Sequence, residues 1–309
     1  MALKIIFMGT PNFAVPILKS IYKSNHKIVE VYTQPAQKKD RGQKILNSPI
    51  YECAEQLNLK IRCPMSLETR EELDHFKSLK PDLAIVVAYG KILPKQLLNL
   101  DKILFINLHA SLLPRWRGAA PIQRSIMNMD KETGVSIMKI IEKLDAGPVM
   151  LKSKIKLSKE SNFTEVSKKM TNIGSKLIIE ALNKIEIGEA NFVSQNENEA
   201  TYAKKINKIE SKIDWSEKAN IILAKINSLN PSPGCWFKFS GSRIKVIRAR
   251  EVKISGKPGL VLDNELTVAC SENAIQILEL QKEGKNKTLS KEFLKGNKLG
   301  KGTSLLRDV

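Results

Sequence analysis

Asn107 and His109 are the two residues whose types and spacing most directly suggest chemistry. They lie two apart in INLHASLLPRWRGAAPIQ (residues 106–123), at the end of an apolar run. Side chains alternate faces along a strand, so a strand ending here points both the same way. An amide donor beside an imidazole can polarise a carbonyl and hold the oxyanion formed when a nucleophile attacks it. The imidazole can also shuttle a proton near neutral pH. A carboxylate would complete the set by orienting the ring and moving a proton. Asp145, in EKLDAGP (142–148), is the candidate, just before a Gly-Pro turn. An aspartate in such a place often serves only the turn, and spacing alone does not bring it to His109. The other two histidines, His26 in SNHK and His75 in EELDHFK, read as solvated.

The elements that must position these residues can be read from periodicity. Apolar runs at 3–8, 27–32, 82–88 and 102–108 read as strands, followed by further strands at 135–140 and 149–157. Helical patterns cover 13–22, 48–57, 67–79 and 163–187. Ser48 and Pro49 are suited to the N-cap and first position of the second helix. Strand–helix alternation of this kind implies an α/β fold with an open parallel sheet, whose ligands bind beyond the strands' carboxyl ends. After Gly188 the texture changes. The polar stretch 190–200 reads as a linker, and a helix is expected at 216–228. Short alternating runs at 235–239, 244–248, 259–262, 266–269 and 275–280 suggest a small β-barrel or sandwich. The expected organisation is therefore 1–189, a linker at 190–208, and 209–309.

Composition narrows the classes. The chain has 309 residues and a net charge of +19, with 42% hydrophobic residues. No apolar run approaches the roughly 20 residues that span a bilayer. Four cysteines without CxxC pairs fit free thiols in a reducing cytoplasm, and no metal is indicated. The basic excess is spread along the chain, so a bound polyanion would touch both parts. Lys38, Lys39, Arg41 and Lys44 cluster in the loop 34–47, a candidate arm for phosphate or base edges. Lys204, Lys205 and Lys208 follow in the linker, and Lys245, Arg248 and Arg250 on or beside a later strand. Lys245, at odd spacing from the other two, is expected to face away from them. Gly9 belongs to no GxGxxG pattern, so no dinucleotide site is expected.

Several ordered motifs together carry a family resemblance. Asn107-Leu-His109, Ser111-Leu-Leu-Pro114, Arg117-Gly118, Pro121 and Asp145-Ala-Gly147 resemble the signature of folate-dependent formyltransferases. The segments 8–16 (MGTPNFAVP), 33–35, 40–44 (DRGQK) and 230–234 (NPSPG) narrow this to the methionyl-tRNA formyltransferase family, over essentially the whole chain. The resemblance implies a Rossmann-like N-terminal domain and a smaller C-terminal barrel similar to an OB fold that binds tRNA. It implies 10-formyltetrahydrofolate as donor, methionyl-initiator tRNA as acceptor, and no metal. Asn107, His109 and Asp145 match the catalytic trio. Ser111, Leu112, Leu113 and Pro114 match the folate-contacting loop, and Val87, Ala88, Tyr89 and Gly90 the pterin-lining turn. Arg41, beside Gly42, matches the tRNA-inserting loop. A cytoplasmic monomer is expected. The alternative is a formyltransferase acting on a sugar-nucleotide amine, against which the basic loop and the start motif argue.

Overall fold

The protein is described by a computed structural model covering residues 1–39, 44–100 and 102–306. It divides into two compact units. The first takes residues 1–121, 132–155 and 167–203, and the second takes 122–131, 156–166 and 204–309.

The first unit is built on β1 (Lys4–Gly9), β2 (Lys27–Tyr32), the hairpin β3 (Gln37–Lys39) and β4 (Lys44–Leu46), β5 (Ile61–Arg62), β6 (Leu83–Val87), β7 (Leu104–His109), β8 (Arg117–Gly118), β9 (Glu132–Lys139), β10 (Val149–Lys156) and β11 (Tyr202–Ala203). Seven of these strands form one sheet in the order β10-β9-β7-β6-β1-β2-β5. The five residues of β6 are all buried, as its unbroken apolar sequence requires of a strand covered on both faces. Helices α1 (Val15–Tyr22), α2 (Pro49–Gln56), α3 (Arg70–Ser78) and α4 (Lys95–Leu98) connect the parallel strands. Ser48 caps α2 by accepting from the Tyr51 N–H, and Thr69 caps α3 by accepting from that of Glu72.

From β1 the chain winds outward to β2 and β5, then returns to place β6 on the other side of β1. That reversal is a switch point, and the carboxyl ends of β1, β6 and β7 open there. The sheet is not wholly parallel as expected: β9 runs antiparallel to β7. A parallel return needs a crossover, usually a helix laid on the sheet. Residues 122–131 of the connection between β7 and β9 belong to the second unit.

The second unit contains α5 (Pro121–Met127) apart from its first residue. It also holds α7 (Ala219–Leu229), β12 (Trp236–Phe239), β13 (Ser242–Val252), β14 (Thr267–Ala269), β15 (Ala274–Lys282), β16 (Lys287–Leu289) and α8 (Ser290–Lys295). The strands make a five-stranded antiparallel sheet. Its core gathers Trp215, Phe237, Ile222, Ile244, Val246 and Ile277, with the Trp215 and Phe237 rings edge to face at 5.8 Å. The strand expected at 259–262 is reduced to isolated bridges, Leu260 with Ser304 and Val261 with Val268. Gly259, at φ +78°, turns the chain at its start.

The longest helix, α6 (Phe163–Glu186), packs Gly174 against the Leu108 side chain of β7. A Cβ at Gly174 would come within 3.1 Å of Leu108, so glycine lets the helix approach the strand that carries Asn107 and His109.

Three expectations are corrected here. His26 is buried, its Nδ1 accepting from the Leu3 N–H at 3.3 Å. His75 is held 2.7 Å from Glu30 Oε2. The expected linker 190–208 is divided between the units, with 190–203 in the first and 204–208 in the second. Val149 and Val193 exchange backbone hydrogen bonds, and β11 lies parallel to β8. Its aperiodic polar sequence reflects side chains committed to distant partners rather than a free tether.

Candidate active site

Strand β7 places Asn107 opposite Met138 and His109 opposite Ser136, so the two side chains share a face at the strand's end. Asn107 is half-buried, and its amide makes no hydrogen bond among the described residues. His109 is only 6% exposed. Its Nε2 lies 2.9 Å from the Trp116 carbonyl. A carbonyl can only accept, so Nε2 carries a hydrogen and the Nδ1 edge is the variable one. That edge faces Asp145, with Nδ1 3.6 Å from Oδ2. The gap is wider than a hydrogen bond.

The loop carrying Asp145 is heavily constrained. Asp145 itself takes φ +47°, uncommon for any residue but glycine. The Gly118 N–H donates to its Oδ2 at 2.8 Å. Gly147 admits no side chain, since a Cβ there would sit 1.8 Å from the Lys139 carbonyl oxygen. Gln195 Nε2 donates to the carbonyls of both Asp145 (2.9 Å) and Gly147 (2.7 Å). Behind Gln195 stands Arg117, whose side chain is fully buried. Its guanidinium donates to Gln195 Oε1 and, bidentately, to Glu197. Arg117, then Lys143, holds the Glu197 carboxyl down to about 2. Sequence reading placed Arg117 only within a motif and passed over Gln195 and Glu197. A buried arginine needs acceptors, and an otherwise aperiodic polar stretch was the one signal that could have supplied them.

The two loops assigned to the donor divide into anchors and exposed surface. In the turn after β6, Val87 and Tyr89 are buried while Ala88 and Gly90 are exposed. Ala88 and Gly90 both take positive φ, at +48° and +83°. The Tyr89 ring sits in a core cluster with Tyr32 and Phe76. Its carbonyl accepts from Thr10 Oγ1 (2.7 Å) and Gln34 Nε2 (3.0 Å), which uses both lone pairs. The backbone of Ala88 and Gly90 therefore forms the open part of the turn. Ser111 is wholly buried: its hydroxyl donates to the Arg115 carbonyl, and Ser136 Oγ donates to the Ser111 carbonyl. Leu113 is buried against Met138 and Val149, with its carbonyl taken by Lys152. Leu112 and Pro114 are the partly exposed members of this loop.

Among the basic candidates, Lys38, Lys39 and Lys44 lie in the β3–β4 hairpin, with Lys39 paired to Lys44. Arg41 and Gly42 fall outside the described residues. Lys204, Lys205 and Lys208 are exposed. Arg124 anchors the backbone there, donating to the Lys204 carbonyl at 3.1 Å and to the Glu210 carboxylate at 2.6 Å. On β13, Lys245 pairs with Gln281 and Arg248 with Glu279, two residues apart on β15. A bulge between Val246 and Arg248 accounts for this. Lys245 and Arg248 thus share a face, which corrects the expectation from their odd spacing. Lys245 donates to the Pro231 carbonyl at 3.3 Å. Among the described residues no group of three His, Cys, Asp or Glu side chains is placed to hold a metal.

Residues 3–182 match the model of the formyl transferase family, and residues 205–298 that of the formyl transferase C-terminal domain. A methionyl-tRNA formyltransferase of Pelagibacter ubique is 50% identical over 307 residues, covering 99% of each chain. HypX from Aquifex aeolicus, solved with tetrahydrofolic acid, shares the fold at TM-score 0.65 and 18% identity, over 95% of this chain and 47% of that one. A Helicobacter canadensis N-formyltransferase, solved with folinic acid and dTDP-3-aminofucose, superposes at TM-score 0.66 and 19% identity, over 91% of this chain and 100% of that one.

Proposed function

The chain belongs to the methionyl-tRNA formyltransferase family, and from that premise we propose that Asn107, His109 and Asp145 form its reaction centre. The enzyme transfers a formyl group to the free amino group of methionyl-initiator tRNA, giving N-formylmethionyl-tRNA for translation initiation. The donor in this reading is 10-formyltetrahydrofolate. The tetrahydrofolate bound by a protein of the same fold supports a folate donor. The exposed backbone of Ala88 and Gly90 and the partly exposed Leu112 and Pro114 offer a surface for it.

The neutral amine attacks the formyl carbon, forming the new C–N bond and turning the carbonyl into an oxyanion. The Asn107 amide and the Nδ1–H of protonated His109 donate to that oxyanion. With Nε2 occupied by the Trp116 carbonyl, Nδ1 is the edge left for this task. Asp145 stabilises the imidazolium and takes the proton from the attacking nitrogen, directly or through water. When the oxyanion collapses, the bond to the folate nitrogen breaks and His109 protonates the leaving group. The observation that carries this reading is the approach of His109 Nδ1 to Asp145 Oδ2 at 3.6 Å beside an uncommitted amide.

The basic side chains hold the RNA backbone and set its position rather than read its sequence. The second unit serves as an OB-like tRNA-binding domain, a role favoured by the exposed Arg248 on its antiparallel sheet. No helix among the described residues is long and apolar enough to cross a membrane. The working enzyme is read as a cytoplasmic monomer. Incubation with charged initiator tRNA and labelled formyl-folate tests the whole assignment. Label on the methionyl nitrogen is expected, and its absence would refute it. A parallel reaction with a sugar-nucleotide amine addresses the weaker alternative.

A further inference from the structure

Gln195 occupies an unusual position between a buried cation and the Asp145 loop. Its Oε1 accepts from Arg117 Nε (3.1 Å) and Nη2 (2.9 Å). Its Nε2 donates to the carbonyls of Asp145 and Gly147. A guanidinium only donates and a backbone carbonyl only accepts, so chemistry permits one orientation of this amide. Glutamine is suited to the place because it presents an acceptor to the arginine and a donor to the two carbonyls. The loop it ties down needs such a tie: Asp145 sits at φ +47°, and Gly147 is packed against the Lys139 carbonyl with no room for a Cβ. Two contacts then fix the aspartate from opposite ends, the Gly118 N–H at its carboxylate and Gln195 at its backbone.

We propose that Gln195 is a positioning residue for formyl transfer, setting the Asp145 loop so that its carboxylate meets the reacting amine beside His109. The inference rests on Asp145 acting in the reaction centre as read above. Gln195 acts through the loop and touches neither substrate. A misplacement of about 1 Å in a catalytic group can cost about a hundredfold in rate.

The discriminating variant is Gln195→Glu, which keeps the size and the acceptor toward Arg117 but removes the donor to the two carbonyls. Expected is a fall in kcat of about tenfold to a hundredfold, with KM for tRNA and folate nearly unchanged and the kcat–pH profile displaced. Gln195→Ala, which introduces no new charge, should reproduce the loss, and its thermal melting reports any failure to fold. In a cycle with Asp145→Asn, the second substitution should add little, because both act through one group. Normal kcat in Gln195→Glu, or full multiplication of the two losses, overturns the proposal while leaving the reaction centre intact. Normal turnover in Asp145→Asn would remove Asp145 itself, and the role of Gln195 with it.

Discussion

The two units use backbone strain and buried polarity differently. In the first, the positive-φ residues other than glycine include Asn58, Lys80 and Lys102, which end helices or precede a strand, and also Ala88, Trp116 and Asp145, on the loops that follow β6, β7 and β9. A fully buried arginine stands behind them. In the second, Met129 follows α5, while Ser240, Leu266 and Asn273 lie at turns that reverse or precede antiparallel strands. Its core holds Trp215 and Phe237, and its buried polar side chains among the described residues, Ser125, Ser211, Ser228, Thr267, Gln276 and Ser290, are all uncharged. Strain at a tight turn follows from topology. Strain at Trp116 and Asp145, whose carbonyl and carboxylate both face the His109 ring, needs surroundings that over-determine it, and strain so placed is characteristic of reacting sites. The first unit gives up packing simplicity for fixed polar geometry, whereas the second is held together mainly by apolar burial.

Substitutions can break this contrast. The largest effect on stability is expected for Phe237→Ala, at about 3–5 kcal/mol, because the ring is 2% exposed in the core of the second unit. Calorimetry should record it, with kcat of the folded fraction for a saturating acceptor preserved. A comparable chemical effect is expected in the first unit. His109→Ala and Asn107→Ala should each lose roughly 10²–10³ in kcat while melting close to the unmodified protein. Near-normal turnover in either would remove that residue from the centre. A smaller separation should come from salt. Raising it from about 50 to 200 mM should raise KM for tRNA roughly tenfold or more if several phosphates are held. The KM for folate should stay nearly constant, and a flat tRNA response would count against basic contacts on both units. The finest distinction lies in the thiols. Burial pushes Cys235 and Cys270 up to about 12, so at pH 8 they remain thiols. Burial also raises Cys63, but that side chain is partly exposed and should be alkylated first in the native protein, as peptide mapping would show.

Much of the sheet was legible because its strands are apolar on both faces and its helices carry cap residues such as Ser48. Asn107 and His109 were legible as neighbours on one face, because strand alternation is a local rule. What joins His109 to Asp145 was not, because it depends on where a later loop returns. Gln195 and Glu197 were missed for the same reason: their partners lie 78 and 80 residues away at Arg117, so no periodic pattern betrays them. The direction of β9 escaped because an apolar strand reads the same whichever way it runs. The shared face of Lys245 and Arg248 escaped because one bulged residue reverses the alternation rule.

The late position of Gln195 in the chain has a consequence for biosynthesis. Domains tend to form from the N-terminus as the polypeptide leaves the ribosome. A nascent chain that has just released residue 150 already displays Asn107, His109 and Asp145. It lacks the amide that ties Asp145 and Gly147, and it lacks β11, which pairs with the strand bearing Gly118. The groups proposed to react are thus made early, while the amide that ties the Asp145 loop emerges some fifty residues later.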